Sequence, residues 1–530
     1  MSAAHDYLEA ILWRGRRRME PVDFEPDWSD KPRKSKFYPG IDPVELPRDG
    51  FDDRPTVADG LFAPAGTEPF TVPLLAGMLR HSYSLLGRRL AMHANGDVNG
   101  LHAYANANWH RGTASGGGLY PVSIYWASGP SGPGLPGLHY YSNPHHAMQR
   151  LATGDFTDEV RAAIGDLPDA ASTDQFLVLG VKFWQNAFKY NSFSYHAVTM
   201  DVGTIIQTWR MWAGAHGLRV WPALWFDDRR LGRLIDELPS AEGIFAVLPL
   251  QWDTPPGPAT APAIRSHPSP LSVRDQEISR RVMTFETVTT LHAATMQTTS
   301  ERPAASALAG AAALPVQTGS DIVTLPAPLP LNTPIGAALR SRRSSFGRLS
   351  GTHPTTAAQL RTVLAAAEAA AHFDCDVAAP DGLALVRFYV FVTHVAAIPA
   401  GVYAFDPALG ALHLLKPGAR GEFLQRNYFL ENYNLEQAGA VVVPTIRTSA
   451  VLDAVGDRGY RLSNAVIGAV SQAFYIAAGA VGLGCGVALG FDNVSYVEEL
   501  DLAERGEAPF LIMLLGNERT LPADVRYDIG

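Results

Sequence analysis

The chain has 530 residues, of which 47% are hydrophobic and 18% charged, and its formal net charge is −9. This length and composition predict two to four folded domains and exclude a chain that is disordered throughout. The acidic balance argues against a general nucleic-acid-binding protein, and a count of only two cysteines excludes a disulfide framework and a cysteine-rich zinc site.

The opening segment, MSAAHDYLEAILWRGRRRME, carries its positive charges after the apolar stretch. A signal peptide has the reverse order, so we expect a cytoplasmic protein. We interpret the basic cluster Arg14-Gly-Arg-Arg-Arg18 as the solvated end of a helix rather than as a binding surface.

The segment RGTASGGGLYP, Arg111 to Pro121, places three consecutive glycines before the apolar stretch VSIYW. A loop without Cβ atoms lets another group approach the backbone closely. The apolar stretch that follows is typical of a strand. A plain turn that enters a strand is the alternative interpretation of this segment.

Lys189 and Tyr190 stand together just before a long segment with the apolar spacing of a helix. Both side chains can handle a proton, so the pair is a candidate for acid–base chemistry. From the residues alone, a surface lysine beside a packed tyrosine is the simpler interpretation.

The segment 253–333 is rich in Pro, Ala, Thr and Ser, and one part of it, VRDQEISRRVMTFETVTTLHAATM, has the pattern of a helix. Its two ends, TPPGPATAPA and PAPLPLNTP, have the composition of flexible linkers. We therefore predict a first domain over 1–252, a linker over 253–333 and a second domain over 334–530.

The second domain opens with LRSRRSSFGR, Leu339 to Arg348. Guanidinium groups and hydroxyls clustered at a predicted helix start are suited to binding an anionic phosphate. A solvated helix N-terminus is the alternative interpretation.

From Leu462 to Phe491 the chain has no charged side chain, a length that could span a membrane. The segment contains the polar residues Asn464 and Gln472 and then changes to GLGCGVALG. We interpret it as a buried helix followed by a strand, and we expect no contact with a membrane.

The chain contains an internal repeat. Phe193 to Asp228 aligns without a gap with Arg458 to Asn493 (458 − 193 = 265). The strands that precede them, PVSIYWAS and LVRFYVFV, are offset by almost the same distance (385 − 121 = 264). We predict an α+β protein with two related domains in tandem, which form a pseudo-dimer about a pseudo-two-fold axis.

The two copies differ at complementary places. In the second copy APDGLAL, Ala379 to Leu385, aligns with SGGGLYP, and Ala454 and Val455 align with Lys189 and Tyr190. Conversely, the second copy keeps LGFDN, where a glycine lets the backbone approach a ligand, whereas the first has LWFDD, where a tryptophan closes that approach.

Together these motifs resemble the nitroreductase superfamily of FMN enzymes. Within it they are similar to the SagB-type peptide dehydrogenases, which oxidise azoline rings in ribosomally made peptides. The similarity to this subfamily lies in PDWSDKPRKSKFYPG near the N-terminus, in KYNSFSY with its catalytic Lys-Tyr pair, and in the long segment RGYRLSNAVIGAVSQAFYIAAGAVGLG. RRSSFGR resembles the first FMN-binding motif of the superfamily, and SGGGLYP resembles its central flavin loop.

One departure from the subfamily concerns its usual arginines after the Lys-Tyr pair. This sequence has Phe193 and His196 at those places, and the second copy has Arg458 and Arg461. The departure fits complementary loss, but it leaves open which arginine serves the site.

Superfamily members are dimers with FMN at the subunit interface, so the resemblance implies one composite FMN site per chain, between the two domains. The FMN-binding residues that it implies are Arg342, Arg343, Ser344, Arg348, Leu489 and Gly490 of the second domain and Ser115, Gly116, Gly117, Gly118 and Tyr120 of the first. The implied catalytic residues are Lys189 and Tyr190, and no metal is implied. The symmetry-related second site should hold no FMN.

The resemblance implies an FMN-dependent dehydrogenase that oxidises thiazolines or oxazolines to azoles. Its implied partners are an azoline-containing precursor peptide and a cyclodehydratase complex. Two other functions stay open: an FMN oxidoreductase acting on a small nitro or quinone-type molecule, and a non-catalytic flavoprotein scaffold in a peptide-modifying complex. The Lys-Tyr pair favours the dehydrogenase over the small-molecule enzyme, and the complementary motifs argue against the scaffold.

Overall fold

The structure is a computed structural model, and it describes residues 2–64, 66–93, 103–165, 167–235, 238–254, 273–304, 306–319, 321–378, 384–519 and 525–529. Two of the segments quoted above fall partly outside the described residues. They are TPPGPATAPA, of which only the first residue is described, and APDGLAL, of which residues 379–383 are not described.

The first half of the chain combines short helices with an antiparallel sheet. Its helices are α1 Ala3–Trp13, α2 Val57–Phe62, α3 Val72–Tyr83, α4 Thr157–Ile164, α5 Pro168–Ala171, α6 Trp184–Tyr190, α7 Ser194–Ala215 and α8 Asp228–Ile235. Its strands are β1 Val44–Glu45, β2 Gly87–His93, β3 Ala103–His110, β4 Val122–Ser128, β5 Gly137–Ser142, β6 Ala147–Thr153, β7 Gln175–Lys182 and β8 Glu242–Pro249.

The rest of the chain contains a connecting helix and a second set of helices and strands. The helices are α9 Glu286–Thr295, α10 Ile335–Ser341, α11 Ala357–Ala371, α12 Gly421–Arg426, α13 Thr448–Val455, α14 Gly459–Ala480 and α15 Asn493–Glu499. The strands are β9 Ile322–Thr324, β10 Val386–Val392, β11 Gly401–Asp406, β12 Ala411–Pro417, β13 Ala440–Ile446, β14 Gly484–Ala488, β15 Ala508–Pro509, β16 Ile512–Gly516 and β17 Val525–Asp528.

Two sheets of matching topology confirm the predicted tandem α+β fold. The first has the strand order β1-β6-β5-β4-β7-β8, and the second has β14-β16-β13-β10-β11-β12-β9 with β15 beside β13. The order β6-β5-β4-β7-β8 thus recurs as β12-β11-β10-β13-β16. A third sheet, β17-β2-β3, joins the C-terminal segment to the first half of the chain.

Helices α7 and α14 form the centre of the interface between the halves. Each has 22 residues. A Cβ on Gly203 would overlap the backbone of Ala465, and a Cβ on Gly468 would overlap the backbone of Met200. The two contacts are images of each other under the 265-residue repeat, so the halves are related by the predicted pseudo-two-fold axis, and two glycines permit the close approach.

The uncharged segment after Leu462 forms most of α14 and then β14, as predicted. By length and composition α14 is the one helix in the described part of the chain that could cross a membrane, and 94% of its most apolar window is buried inside the protein. Its burial against α7 and α11 accounts for its apolar composition.

The predicted linker helix is shorter in the structure than in the sequence pattern. Only its second half is helical, as α9, and the residues before Glu286 have no regular structure. The boundaries of the linker and of the two domains stay a prediction.

Candidate functional site

A buried carboxylate holds the glycine loop in shape. Asp201 on α7 accepts hydrogen bonds from the Ser115 hydroxyl (2.6 Å) and from the Gly116 N–H (2.8 Å). Gly117 and Gly118 follow with φ values of 62° and 64°, which favour glycine. The loop therefore depends on Asp201, a residue that sequence analysis did not select.

Tyr120 supports the same loop from behind. Its N–H donates to the Ser115 hydroxyl oxygen (2.8 Å), and its buried ring centroid lies 4.1 Å from the guanidinium carbon of Arg111. The same guanidinium lies over the ring of Tyr83 at 4.7 Å. The structure thus places Tyr120 beneath the loop rather than on its open side.

The glycine loop of the first half docks directly on the second half. Gln472 on α14 accepts the Ala114 N–H (3.0 Å) and donates to the Gly112 carbonyl (3.0 Å). Arg342 donates through Nη2 to the Arg111 carbonyl (3.1 Å). The structure therefore brings the glycine loop together with the arginine motif, Arg342 to Arg348, across the interface.

Lys189 and Tyr190 lie at the exposed tip of that loop. Helix α6 ends at Tyr190, which leaves both side chains half-buried at its last turn. A Cβ on Gly117 would lie 2.9 Å from Lys189 Nζ and closer still to the Tyr190 hydroxyl. The exposed ring of Trp28 lies on the other side of Lys189, with its centroid 6.0 Å from Nζ. The Lys189 ammonium nitrogen and the Tyr190 hydroxyl therefore both lie so close to the backbone of residue 117 that only a glycine fits at this position.

The arginine motif follows a helix, so the prediction that it opens one was wrong. Helix α10 starts after Pro334, a residue that favours a helix start, and ends at Ser341 before the motif begins its turn. Basic side chains at a helix C-terminus complement the helix dipole, so the same composition fits either end.

The members of the arginine motif have different partners. Arg343 donates through two nitrogens to the carboxylate of Glu518. The Ser344 hydroxyl lies 2.9 Å from the hydroxyl of Tyr475, and the Arg342 guanidinium carbon lies 5.3 Å from the Tyr475 ring centroid. Arg348 is half-buried in the same turn. Arg343 thus has a carboxylate partner, while Arg342 and Ser344 face Tyr475.

The turn after β14 presents two backbone N–H groups, those of Leu489 and Gly490. Neither donates to a protein acceptor among the described residues. The Leu489 carbonyl accepts a hydrogen bond from Arg14, whose guanidinium carbon lies 4.5 Å from the Phe193 ring centroid. The Phe193 ring lies 6.0 Å from the ring of Tyr190. These contacts link the turn to the Lys189–Tyr190 pair.

The interpretation of Arg14-Gly-Arg-Arg-Arg18 as solvated was wrong for Arg14, whereas Arg16 is exposed as expected. Arg14 is half-buried and reaches a carbonyl 475 positions away, and Arg16 forms ion pairs with Asp492 (3.3 Å) and Glu498 (2.9 Å). Local charge pattern does not reveal such distant partners. The sequence feature that could have pointed to Arg14 was Phe193, which stands where the second copy has an arginine.

Comparison with known proteins identifies the second half of the chain. Residues 339–517 match the Nitroreductase family. Members of this family are typically flavin-dependent oxidoreductases. No curated protein matches the chain.

Solved structures extend the nitroreductase-like fold to both halves. A protein from Anabaena variabilis described as a nitroreductase matches 98% of this chain and 100% of its own length, with a TM-score of 0.72 and 21% identity. A second protein described as a nitroreductase, from Ralstonia eutropha, matches 39% of this chain and 100% of its own length, with a TM-score of 0.30 and 20% identity. A chain of the E. coli microcin synthetase McbBCD complex with truncated pro-MccB17 bound matches 34% of this chain and 71% of its own, with a TM-score of 0.28 and 16% identity.

Several cationic side chains surround the glycine loop. Burial, together with nearby Arg111, Lys31 and Lys189, lowers the pKa of Lys34. The Lys34 carbonyl accepts a hydrogen bond from Arg111 (3.2 Å), so this group of cations lies behind and beside the glycine loop. A positive potential of this kind favours an anionic ligand.

Asp201 should make the stability of the protein depend on pH. Burial raises its pKa to about 7, against the opposing hydrogen bonds from Ser115 and Gly116. The unfolded carboxyl ionises near pH 3.8, so between pH 4 and 7 the folded chain retains a proton that the unfolded chain has released. The contribution of Asp201 to the free energy of unfolding should therefore fall as the pH rises through this window, by an amount on the order of 4 kcal/mol.

The Asp201→Asn variant tests this pH dependence. Asparagine keeps an oxygen acceptor for Gly116 but does not ionise, so its unfolding curve should lose the Asp201 contribution to the slope. Chemical denaturation at a series of pH values measures the difference between variant and wild type. Equal slopes between pH 4 and 7 in the two proteins would contradict the assignment to Asp201.

The pseudo-symmetric second site is filled by protein atoms. Leu224 and Trp225 occupy the places of Leu489 and Gly490, and their N–H groups donate to the carboxylate of Asp376 (2.8 and 3.0 Å). Arg302, from the segment after α9, pairs with the same carboxylate (2.9 Å). Trp225 is buried, as its predicted blocking role requires.

Arg458 and Arg461 also belong to the second site, where they form a buried network. Both donate to the carboxylate of Asp228. Both also bond Thr295 of α9, through its carbonyl oxygen (3.1 Å) and its hydroxyl (2.9 Å) respectively. Two guanidinium groups thus share one buried carboxylate in this part of the chain.

The first site, in contrast, fits FMN. The backbone N–H groups of Leu489 and Gly490 have no protein acceptor among the described residues. The equivalent N–H groups in the second site, those of Leu224 and Trp225, donate to the carboxylate of Asp376. A Cβ on Gly118 would meet nothing within 4 Å, so no other part of the described chain covers the loop backbone at this residue. Together with the surrounding cations, these features suit a large, electron-rich and anionic group.

Proposed function

We propose that the chain is an FMN-dependent dehydrogenase that oxidises thiazolines or oxazolines to azoles in a ribosomally synthesised peptide. The observation that carries the proposal is the position of Lys189 and Tyr190 at the tip of the glycine loop, where that loop meets the arginine motif of the other half. The resemblance of the same residues to a dehydrogenase Lys-Tyr motif supports it.

The chain's own residues would hold FMN from both halves. Arg342, Ser344 and Arg348 would bind the phosphate and ribityl end, with Arg343 held beside them by Glu518. The Leu489–Gly490 backbone would face the reactive edge of the ring. Ser115, Gly116, Gly117 and Gly118 would cover the ring from the first half, with Tyr120 supporting the loop.

Lys189 and Tyr190 would handle the proton of the reaction. Conversion of an azoline to an azole breaks two C–H bonds and removes one hydride and one proton from the ring. The chemistry that FMN supplies when bound is acceptance of the hydride. The Lys189 side chain as the free amine, or Tyr190 as the phenolate, would receive the Cα proton, because both lie at the loop tip where a substrate ring can reach them.

The residues at the site also support a second candidate, an FMN oxidoreductase of nitro or quinone-type molecules. The exposed ring of Trp28 beside Lys189 offers a surface on which a planar aromatic molecule can stack. A non-catalytic scaffold is the third candidate, but the placement of a proton-handling pair at an open loop argues against it. Comparing an azoline peptide, its azoline-free precursor and a quinone as substrates separates the three.

We expect one FMN per chain. The first site has open backbone donors and the second is filled by Asp376, Arg302 and Trp225, so only one can accept the flavin. Release of the flavin by denaturation, with absorbance measured against protein concentration, gives the ratio. A ratio of two would contradict the assignment of the second site, and failure to bind FMN after reconstitution would overturn the proposed function.

The proposed setting is cytoplasmic, with an azoline-containing precursor peptide as substrate and a cyclodehydratase complex as partner. Such a complex would form the azoline ring that this chain then oxidises. Co-purification with a cyclodehydratase that is encoded nearby, compared with an unrelated enzyme of the same organism, tests the partnership.

A further inference from the structure

The two pseudo-equivalent turns each receive a guanidinium on the same carbonyl. The Leu224 carbonyl accepts a hydrogen bond from Arg458 Nε (2.7 Å), and the Leu489 carbonyl, its counterpart, accepts one from Arg14. Arg458 begins the long repeat segment, whereas Arg14 lies just after α1. The same contact is therefore made by residues from unrelated positions in the sequence.

Arg14 occupies the place of an arginine that the first copy lacks. Phe193 aligns with Arg458, and the Arg14 guanidinium lies over the Phe193 ring at 4.5 Å. The pattern extends to the next ring: Arg458 lies 4.2 Å from Phe226, and Arg14 lies 5.9 Å from Phe491, the counterpart of Phe226. Two matched contacts, to the leucine carbonyl and to the phenylalanine ring, thus relate Arg14 to Arg458.

We infer that Arg14 is a positioning residue of the flavin site and replaces the arginine lost at position 193. This inference rests on the proposed FMN site and identifies the residue that orients its turn. The Leu489 carbonyl accepts hydrogen bonds from Arg14 and from the Phe491 N–H (3.2 Å). Together they fix the peptide plane that Leu489 shares with Gly490, so the Gly490 N–H points away from Arg14 toward the ligand.

The second site displays the consequence of this arrangement. With the Leu224 carbonyl held by Arg458, the Trp225 N–H donates to the carboxylate of Asp376 (3.0 Å). In the first site the same donor belongs to Gly490 and has no protein acceptor among the described residues. Arg14 therefore presents a polarised N–H to an electron-rich atom of the bound flavin.

Removing this guanidinium should weaken FMN binding and change the properties of the flavin. We expect Arg14→Ala to raise the Kd for FMN about tenfold or more, as loss of a charge-assisted hydrogen bond predicts. The visible spectrum of bound FMN should shift, and its midpoint potential should become more negative, because a donor to the reduced ring is lost. Arg14→Lys should retain part of the effect.

A relocated arginine provides the decisive comparison. The double variant Arg14→Ala, Phe193→Arg restores the arrangement of the second copy, and we expect it to regain most of the affinity and the spectrum. Arg17→Ala, a change at an exposed neighbour, is the matched control and should bind FMN like the wild type. Thermal unfolding of each apoprotein checks that α1 stays folded onto the chain.

Two results would overturn the inference. One is a folded Arg14→Ala variant with wild-type Kd, spectrum and potential. The other is a folded double variant with no recovery over Arg14→Ala, which would deny that the two arginines are equivalent. Neither depends on azoline oxidation, so a wild type that binds FMN but does not oxidise azoline peptides would overturn the proposed function alone. A wild type that binds no FMN would overturn both.

Discussion

The combined substitution Lys189→Ala, Tyr190→Phe is expected to lower the rate of azoline oxidation by about 10²- to 10⁴-fold while FMN stays bound. The reason is geometric. Both groups lie at the tip of the glycine loop, and their polar atoms are the nearest to the place that a Cβ on Gly117 would take. The chemical step can be measured directly in a single turnover with an azoline peptide, in which the loss of flavin absorbance reports the oxidation.

Two comparisons sharpen this prediction. Tyr527→Phe makes the same chemical change as Tyr190→Phe on an exposed strand, where Tyr527 is 68% exposed, and should not change the rate. The single variants Lys189→Ala and Tyr190→Phe then show which group receives the proton. A double variant that retains its FMN and the wild-type rate would exclude both residues from the chemistry.

Gly117→Ala is expected to lower the same rate by about 10²-fold, although it adds only one methyl group. The new Cβ would lie 2.9 Å from Lys189 Nζ and closer to the Tyr190 hydroxyl, and the residue would keep a φ of 62° that alanine adopts poorly. Displacing a catalytic group by about 1 Å can cost this much in rate. Steady-state kinetics should show the loss mainly in kcat.

A matched glycine on another helix controls for the added methyl group. A Cβ on Gly232 of α8 would meet nothing within 4 Å, so Gly232→Ala should keep the wild-type rate and stability or gain slightly in stability. If Gly117→Ala also behaved like the wild type, the contact between the loop and the Lys-Tyr pair would have no role in the reaction.

The fold could be predicted from the sequence because the chain contains an internal repeat. The gapless alignment of Phe193–Asp228 with Arg458–Asn493 specifies two copies of one topology, and matched glycines at 203 and 468 permit the helix contact. The glycine loop and the arginine motif were likewise visible, because each depends on local residue types. The structure places both at one interface, and their roles toward FMN stay a prediction.

Several residues that complete each site were recognisable only in the folded chain. Asp201, buried beneath the loop, and Asp376, which fills the second site, are single carboxylates without a local motif. Arg14 has the sequence pattern of a solvated helix end because its partner, Leu489, is 475 positions away.

The duplication and the local loops could therefore be predicted from the amino-acid sequence, since periodicity, glycine spacing and composition act between near neighbours in the chain. The pairing of charges and backbone groups across the interface could not, because it depends on which distant segments the fold brings together. A guanidinium or a carboxylate satisfies its hydrogen bonds with whatever groups lie near it in space, and that choice leaves no pattern around the residue itself.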